Sequence, residues 1–532
     1  MTFNRQSRAT SMFRASGVGT ICHILNVVAG FAYRTAFIAL LSERYLGING
    51  LFWDVFRLLA LAELGVGSAI CYRFYKPIAG GDVVQVGRLM RFFRQVYFLV
   101  ALVVLVLGLA LFPFVRFLVR DASDVPCDVN LNIVYLLFLA QSVSTYLFSY
   151  RLSIWNADRK NHVALFASMV SETGRFAVQI LVLWLTKSFV GTLASGIAFV
   201  LSFNWILSVW TTRRYAPVFA VAEDLPRAQK VGIFKDAGAL MLHRIGGTVV
   251  NSTDSIILSK FVGLAAVGLY SNYALLVSAL TRLLNQFLGV FTSNYGNAYA
   301  TLPSSDVYHL FRKMQFLNLA LSGFAATGLF LLVGPFIRLW LGARFCLGTG
   351  VEAVICLLFY LRTSWSTVGE NVTASGLFVR DKPRPIVEAM LNVAVSIVLV
   401  RSLGLTGVFL GTIVSYVLTS FWRGPYLLFR HRFGRTTFDY WRQYAALAAL
   451  PVAFASGVRS AFAPAPVAWV GWIGWAVAIS VAYAVCFAAL YGWTADCRAV
   501  AVTLRARLAP VLWPVRHEKE RFDSDDDNCH CV

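Results

Sequence analysis

The sequence predicts an all-α polytopic membrane protein of about fourteen transmembrane helices, and three observations carry that prediction. Of the 532 residues, 58% are hydrophobic and 14% charged, with a mean hydropathy of +0.67, a membrane composition rather than that of a soluble domain. The apolar residues gather in fourteen runs of roughly bilayer length, joined by short connections. The cations collect on alternate connections.

In order, the runs cover 19–42, 48–70, 95–119, 130–150, 162–186, 188–211 and 236–260. They continue with 267–299, 314–340, 349–378, 385–402, 405–429, 441–462 and 466–494. An even number of spans puts both termini on one side. On that side lie 32 of the 47 Lys and Arg, against 9 on the other and 6 within spans. The excess of cations on inner loops makes both termini cytoplasmic and the protein a multi-pass component of the cell membrane. The net charge of +21 has the same origin, so no nucleic-acid partner is expected. Met1–Gly17 carries Arg5, Arg8 and Arg14 but precedes a full-length span without a small-residue cleavage site. That span reads as the first transmembrane helix. The final residues, RHEKERFDSDDDNCHCV, are charged and aperiodic, as in a disordered tail.

A shift of 216 residues brings Gly47 onto Gly263, Glu172 onto Glu388 and Gly191 onto Gly407. Six spans per repeat give both halves the same orientation, so their axis runs along the membrane normal. The expected organisation is a cytoplasmic N-terminus (1–18), an N-lobe (19–211), an inter-lobe loop (212–235), a C-lobe (236–429), two further helices (441–494) and a cytoplasmic tail (495–532).

No connection is long enough to hold a soluble catalytic domain. The sequence has no GxxxxGK[ST] phosphate loop, no HExxH and no GxSxG, so neither an ATPase nor an enzyme is expected, and no cofactor. Work must come from an ion gradient, the membrane potential or the substrate's own gradient. The nine cysteines show no disulfide framework, and Cys529-His530-Cys531 is a weak metal pattern, so no metal site is assigned. The sequons at Asn251 and Asn371 lie inside apolar runs, where a glycan is not expected.

Charges inside the spans are the functional signal, because an Arg or Asp at mid-helix costs roughly 2.5–3.5 kcal/mol on insertion scales. The cations are Arg34, Arg57, Arg175, Arg244, Arg282 and Arg362. The acids are Asp54, Glu63, Glu172, Asp254, Glu370 and Glu388. A guanidinium facing a cavity suits phosphate or pyrophosphate, since its planar fork binds bidentately and stays charged. Arg34, Arg57, Arg282, Arg244 and Arg362 are therefore the candidate substrate-binding cations. Asp54 with Arg57, and Glu172 with Arg175, are spaced three apart on one helical face and read equally as ion pairs that fix packing. Glu63, Asp254, Glu370 and Glu388 join them as candidate coupling or ion-pairing groups. Asn272, Tyr273, Asn294 and Tyr295 bring amides and rings that suit a sugar, or else hydrogen bonds between helices.

The sequence resembles the polysaccharide transporters of the oligosaccharide-flippase kind, in the multidrug/oligosaccharidyl-lipid/polysaccharide exporter superfamily. Tyr45–Phe52 (YLGINGLF), Leu61–Ile70 (LAELGVGSAI) and Tyr75–Ala79 (YKPIA) carry the resemblance. Gly268–Tyr273 (GLYSNY) and Leu403–Thr412 (LGLTGVFLGT) extend it, so that it covers about 20 to 430. It implies two pseudo-symmetric six-helix lobes of the drug-exporter type plus two C-terminal helices. It also implies an alternating-access flippase for undecaprenyl-diphosphate-linked oligosaccharide repeat units in cell-surface polysaccharide synthesis. The implied partners are the lipid-linked oligosaccharide, membrane lipids, and a polysaccharide polymerase with glycosyltransferases. A lipid II flippase and a cation-coupled multidrug antiporter are the alternatives. The antiporters are expected to carry an acid in the first helix, where this chain has Arg34.

Overall fold

The computed structural model describes residues 8–63, 70, 73–74, 76–78, 80–158, 160–292, 295–461 and 468–502. Each of the fourteen apolar runs falls on a helix, and the described residues form no strand. The first seven helices are α1 (Arg8–Leu40), α2 (Glu43–Leu59), α3 (Val83–Leu111), α4 (Leu131–Ala157), α5 (Asn161–Thr186), α6 (Phe189–Arg214) and α7 (Arg227–Phe261). The rest are α8 (Leu264–Thr292), α9 (Ser304–Leu341), α10 (Thr349–Ala374), α11 (Arg384–Leu403), α12 (Leu405–Phe433), α13 (Phe438–Ala461) and α14 (Trp469–Tyr491).

Among the described residues, eleven of these helices are long and apolar enough to cross a membrane, with α1, α2 and α7 outside that set. Of these, α2 has 17 residues, and Ile24–Leu40 of α1 is a shorter apolar helix. Several helices run past the apolar runs. α3 begins at Val83 because Asp82 caps it, its side chain accepting from the Gln85 N–H at 2.8 Å, and a polar turn with Arg88 and Arg91 precedes the membrane segment. In the other direction α2 ends at Leu59 and a tight turn, Ala60–Glu63, follows. α5 and α6 are joined by two residues only. Lys187 takes a left-handed φ of 51°, and the Ser188 hydroxyl accepts from the Gly191 N–H at 3.1 Å. α12 carries two wide turns, Val417–Phe421 and Phe429–Phe433, on either side of Pro425, which removes one helical N–H.

The chain divides into two compact units, Met1–Thr281 with Val333–Leu358 and Gly376–Arg423, and Arg282–Leu332 with Phe359–Ser375 and Gly424–Val532. The boundary runs through α8, α9, α10 and α12. In the first unit α1 packs on α5, α5 and α4 on α6, α3 on α4, α2 on both α4 and α7, and α11 on α7 and α12. This unit holds an aromatic core, in which Trp155 stacks on Trp210 at 4.7 Å and Phe93 meets Tyr97 at 4.6 Å. In the same unit α2 and α8 nearly touch. A Cβ on Gly47 would lie 2.0 Å from the Leu264 carbonyl oxygen, and one on Gly268 2.0 Å from that of Glu43. Leu264 is the residue after Gly263, on which the 216-residue shift places Gly47. The second unit packs aromatic rings of α9, α12 and α13 together, with Phe311, Phe429, Phe433 and Tyr440 in mutual contact. Large apolar side chains such as Trp184 (68% exposed) and Val470 (83%) face outward, as lipid-facing residues do.

Candidate functional site

The first unit holds Arg34 across two helices. Its Nη1 donates to the Ser271 hydroxyl of α8 at 2.9 Å, and among the described residues it has no carboxylate partner. Ser271 in turn donates to the Gly268 carbonyl at 2.7 Å. Two residues of α2 do pair: Arg57 and Asp54 are 3.0 Å apart, with the Asp54 side chain 13% exposed and that of Arg57 53% exposed. Asp54 is also hydrogen-bonded by Ser255 of α7, so the acid is the anchored member and the cation reaches outward. Glu63 accepts from the Tyr97 hydroxyl.

The second pair read from the sequence, Glu172 with Arg175, is also an ion pair in the structure. Arg175 and Glu172 are 2.5 Å apart, and Arg175 also donates to Gln179 at 3.1 Å and lies over the Phe176 ring. Arg175 and Gln179 border a small polar pocket with Tyr33, Asn49 and Gln141. Glu388 pairs with Arg384 at 3.1 Å and accepts from the Ser420 hydroxyl. Arg384 and Arg423 both bind Asp381, at 2.5 and 3.0 Å, which ties the start of α11 to α12.

Asp254, 4% exposed, sits among neutral oxygen groups of three helices. Thr412 donates to it at 3.1 Å, Asn392 donates to Thr412 at 2.7 Å, and Thr253 donates to Asn392 at 3.2 Å. Thr253, Asn392 and Thr412 carried no functional assignment in the sequence. Their signal was polar residues inside spans, one from each of three distant segments.

Of the candidate sugar contacts, Asn272 is fully buried, and its amide has no hydrogen-bond partner among the described residues. Tyr273 donates to Glu352 at 2.9 Å and accepts from the Leu347 N–H at 3.0 Å, so its hydroxyl joins α8 to α10. Asn294 lies outside the described residues. So does the side chain of Arg244, whose backbone is part of α7.

In the second unit Tyr295 and Glu370 line one cavity of about 650 Å3, together with Asn285, Ser366, Gly369 and Thr373. Arg282 is exposed on α8, and Arg362 is half-buried on α10.

Residues 17–292 match the family model described as Polysaccharide biosynthesis protein. This chain belongs to that family. No curated protein matches this sequence. Among solved structures, the lipid II flippase MurJ in an inward closed conformation is similar over 88% of this chain and 98% of MurJ, at 12% identity and a TM-score of 0.59. A transporter of the multidrug/oligosaccharidyl-lipid/polysaccharide exporter superfamily from Pyrococcus furiosus, whose pocket is described as reversed in polarity, covers 79% of this chain and 95% of its own, at 13% identity and TM-score 0.55. The Vibrio cholerae multidrug exporter VcmN covers 80% and 98%, at 14% identity and TM-score 0.53. These likenesses establish the fold, which is all-α and shared with the lipid II flippase and the multidrug exporters.

Proposed function

We propose that the protein is a flippase that moves undecaprenyl-diphosphate-linked oligosaccharide repeat units from the inner to the outer leaflet of the cytoplasmic membrane. It works by alternating access of the lobes 19–211 and 236–429, with both termini cytoplasmic, and delivers its cargo from glycosyltransferases to a polysaccharide polymerase. The observation that carries the reading is Arg34. Its guanidinium is held within a span by a neutral hydroxyl, which leaves donors and a full charge for an anion. A diphosphate meets that need, and a cationic drug does not. Arg57, extended from its anchored partner Asp54, supplies a second cation in the same unit. Arg244, Arg282 and Arg362 keep the same assignment on sequence grounds.

Asp254 is the acid assigned to coupling, because the hydroxyl and amide oxygens of Thr412, Asn392 and Thr253 suit either a proton or a small cation. Depletion of the protein tests the reading. The lipid-linked oligosaccharide should accumulate as finished repeat units on the inner leaflet, as assigned with an impermeant probe. An unchanged pool with altered sensitivity to cationic dyes would replace the flippase with a drug antiporter.

A further inference from the structure

α10 is broken at Trp365, into Thr349–Ser364 and Ser366–Ala374. A break frees backbone carbonyls, which hydrocarbon cannot satisfy. Two fully buried amides of α9 do so here. Asn318 donates to the Thr363 and Ser364 carbonyls at 3.1 and 3.0 Å, and Gln315 to that of Ser364 at 3.3 Å. The Trp365 ring is wedged beside the break, and a Cβ on Gly369 or Gly424 would come within 2.5 or 2.7 Å of it. The break is therefore built and held, and the half-helix after it is a fixed wall.

That wall lines the cavity of about 650 Å3, within the roughly 300–1,000 Å3 of small-molecule sites. Ser366, Gly369, Glu370 and Thr373 come from the half-helix, Asn285 from α8 and Tyr295 from the short helix Tyr295–Thr301. The short helix and the half-helix are tied together. Tyr299 donates to Asn371 at 3.0 Å and Asn371 donates to the Thr367 carbonyl at 2.8 Å, so ring and half-helix move as one piece.

The lining decides the ligand. None of the described lining residues is cationic, so a phosphate finds no counter-charge. A lipid tail offers no hydrogen bond to the carboxylate, amide and hydroxyls of this lining. No group of three metal-ligating side chains occurs among the described residues. A polyhydroxylated ring fits. Its hydroxyls donate to Glu370 and exchange hydrogen bonds with Asn285, Ser366 and Thr373, while its apolar face meets Tyr295.

We propose that the cavity at the break in α10 is a sugar-recognition subsite, with Glu370 as its principal acceptor. The inference rests on the reading of the protein as a carrier of a glycan-bearing lipid. The test uses the full chain in lipid nanodiscs. The probe is the oligosaccharide released by mild acid from the carrier lipid of the cells that make this protein, and it bears neither lipid nor phosphate. Saturation-transfer NMR should detect binding to the wild type, weakened about tenfold or more in Glu370→Gln. Inorganic pyrophosphate should not compete. If Glu370→Gln fails to elute as a folded protein on gel filtration, Thr373→Ala, at an exposed lining position, carries the same expectation of weakened binding. Equal binding by wild type and folded variants, or displacement by pyrophosphate, overturns the subsite. The leaflet assay reports separately, since an unchanged lipid-linked pool overturns the flippase and leaves the binding comparison as measured.

Discussion

Gly47 of α2 lies directly on the Leu264 carbonyl of α8, with no room between them for a side chain. Gly268 makes the reciprocal approach to the Glu43 carbonyl. Each of the two helices follows its predecessor after a two-residue connection, α2 after α1 and α8 after α7. A methyl group at either glycine forces backbone apart from backbone. Gly47→Ala and Gly268→Ala should each destabilise the protein by about 1–3 kcal/mol. Because both act at one crossing, the double change should cost less than the sum. Thermal unfolding in detergent measures this, and a neutral Gly47→Ala would show that the crossing is loose.

Arg34 separates transport from folding. Removing it strands no buried group, because Ser271 keeps its bond to the Gly268 carbonyl. Arg34→Ala should therefore reach wild-type membrane levels while transport falls roughly ten- to a hundredfold, the worth of one or two bonds to a charged group. Lys at the position should restore part of the activity as a point charge without the bidentate fork. Blots beside a leaflet assay read both quantities. Parallel loss of protein and transport would make Arg34 a packing residue.

The ion pairs differ in what they contribute. Asp381 is 1% exposed and binds two arginines, so Asp381→Ala leaves cations uncompensated at a buried site and should cost about 3–5 kcal/mol. Glu172 has a side chain 46% exposed, and Glu172→Gln should cost no more than about 1 kcal/mol. Unfolding midpoints of the two variants side by side check the contrast. A Glu172→Gln loss as large as that of Asp381→Ala would refute it.

What the sequence revealed follows the range of the forces involved. All fourteen helices were legible because bilayer thickness imposes an apolar run on each. The N-terminal extensions of α3 and α9 were not, since hydropathy records only the part in the membrane. The Glu172–Arg175 pair was legible because helical spacing sets it locally. The setting of Asp254 was hidden, because Asn392 and Thr412 reach it from other helices. The break in α10 was hidden for the same reason: no Pro or Gly marks Trp365, and what stabilises the break comes from Asn318 and Gln315 on α9. Glu370 was identified as an intramembrane acid, but the sequence did not reveal the cavity that it lines.

Asp254 gives the sharpest test of coupling. Asn is close to Asp in shape and still accepts from Thr412 through its amide oxygen, so the chain Thr412, Asn392 and Thr253 has no reason to collapse. What Asp254→Asn removes is the charge. If a proton or cation binds there, the variant should fold, bind substrate and exchange it across the membrane down its own gradient. It should no longer accelerate when an ion gradient is imposed. Thr412→Val takes one oxygen and one donor from the same place, and should weaken the response to the gradient without abolishing it. Transport measured in vesicles with and without imposed proton and sodium gradients distinguishes these outcomes. An Asp254→Asn protein that still follows the gradient would move the coupling site elsewhere.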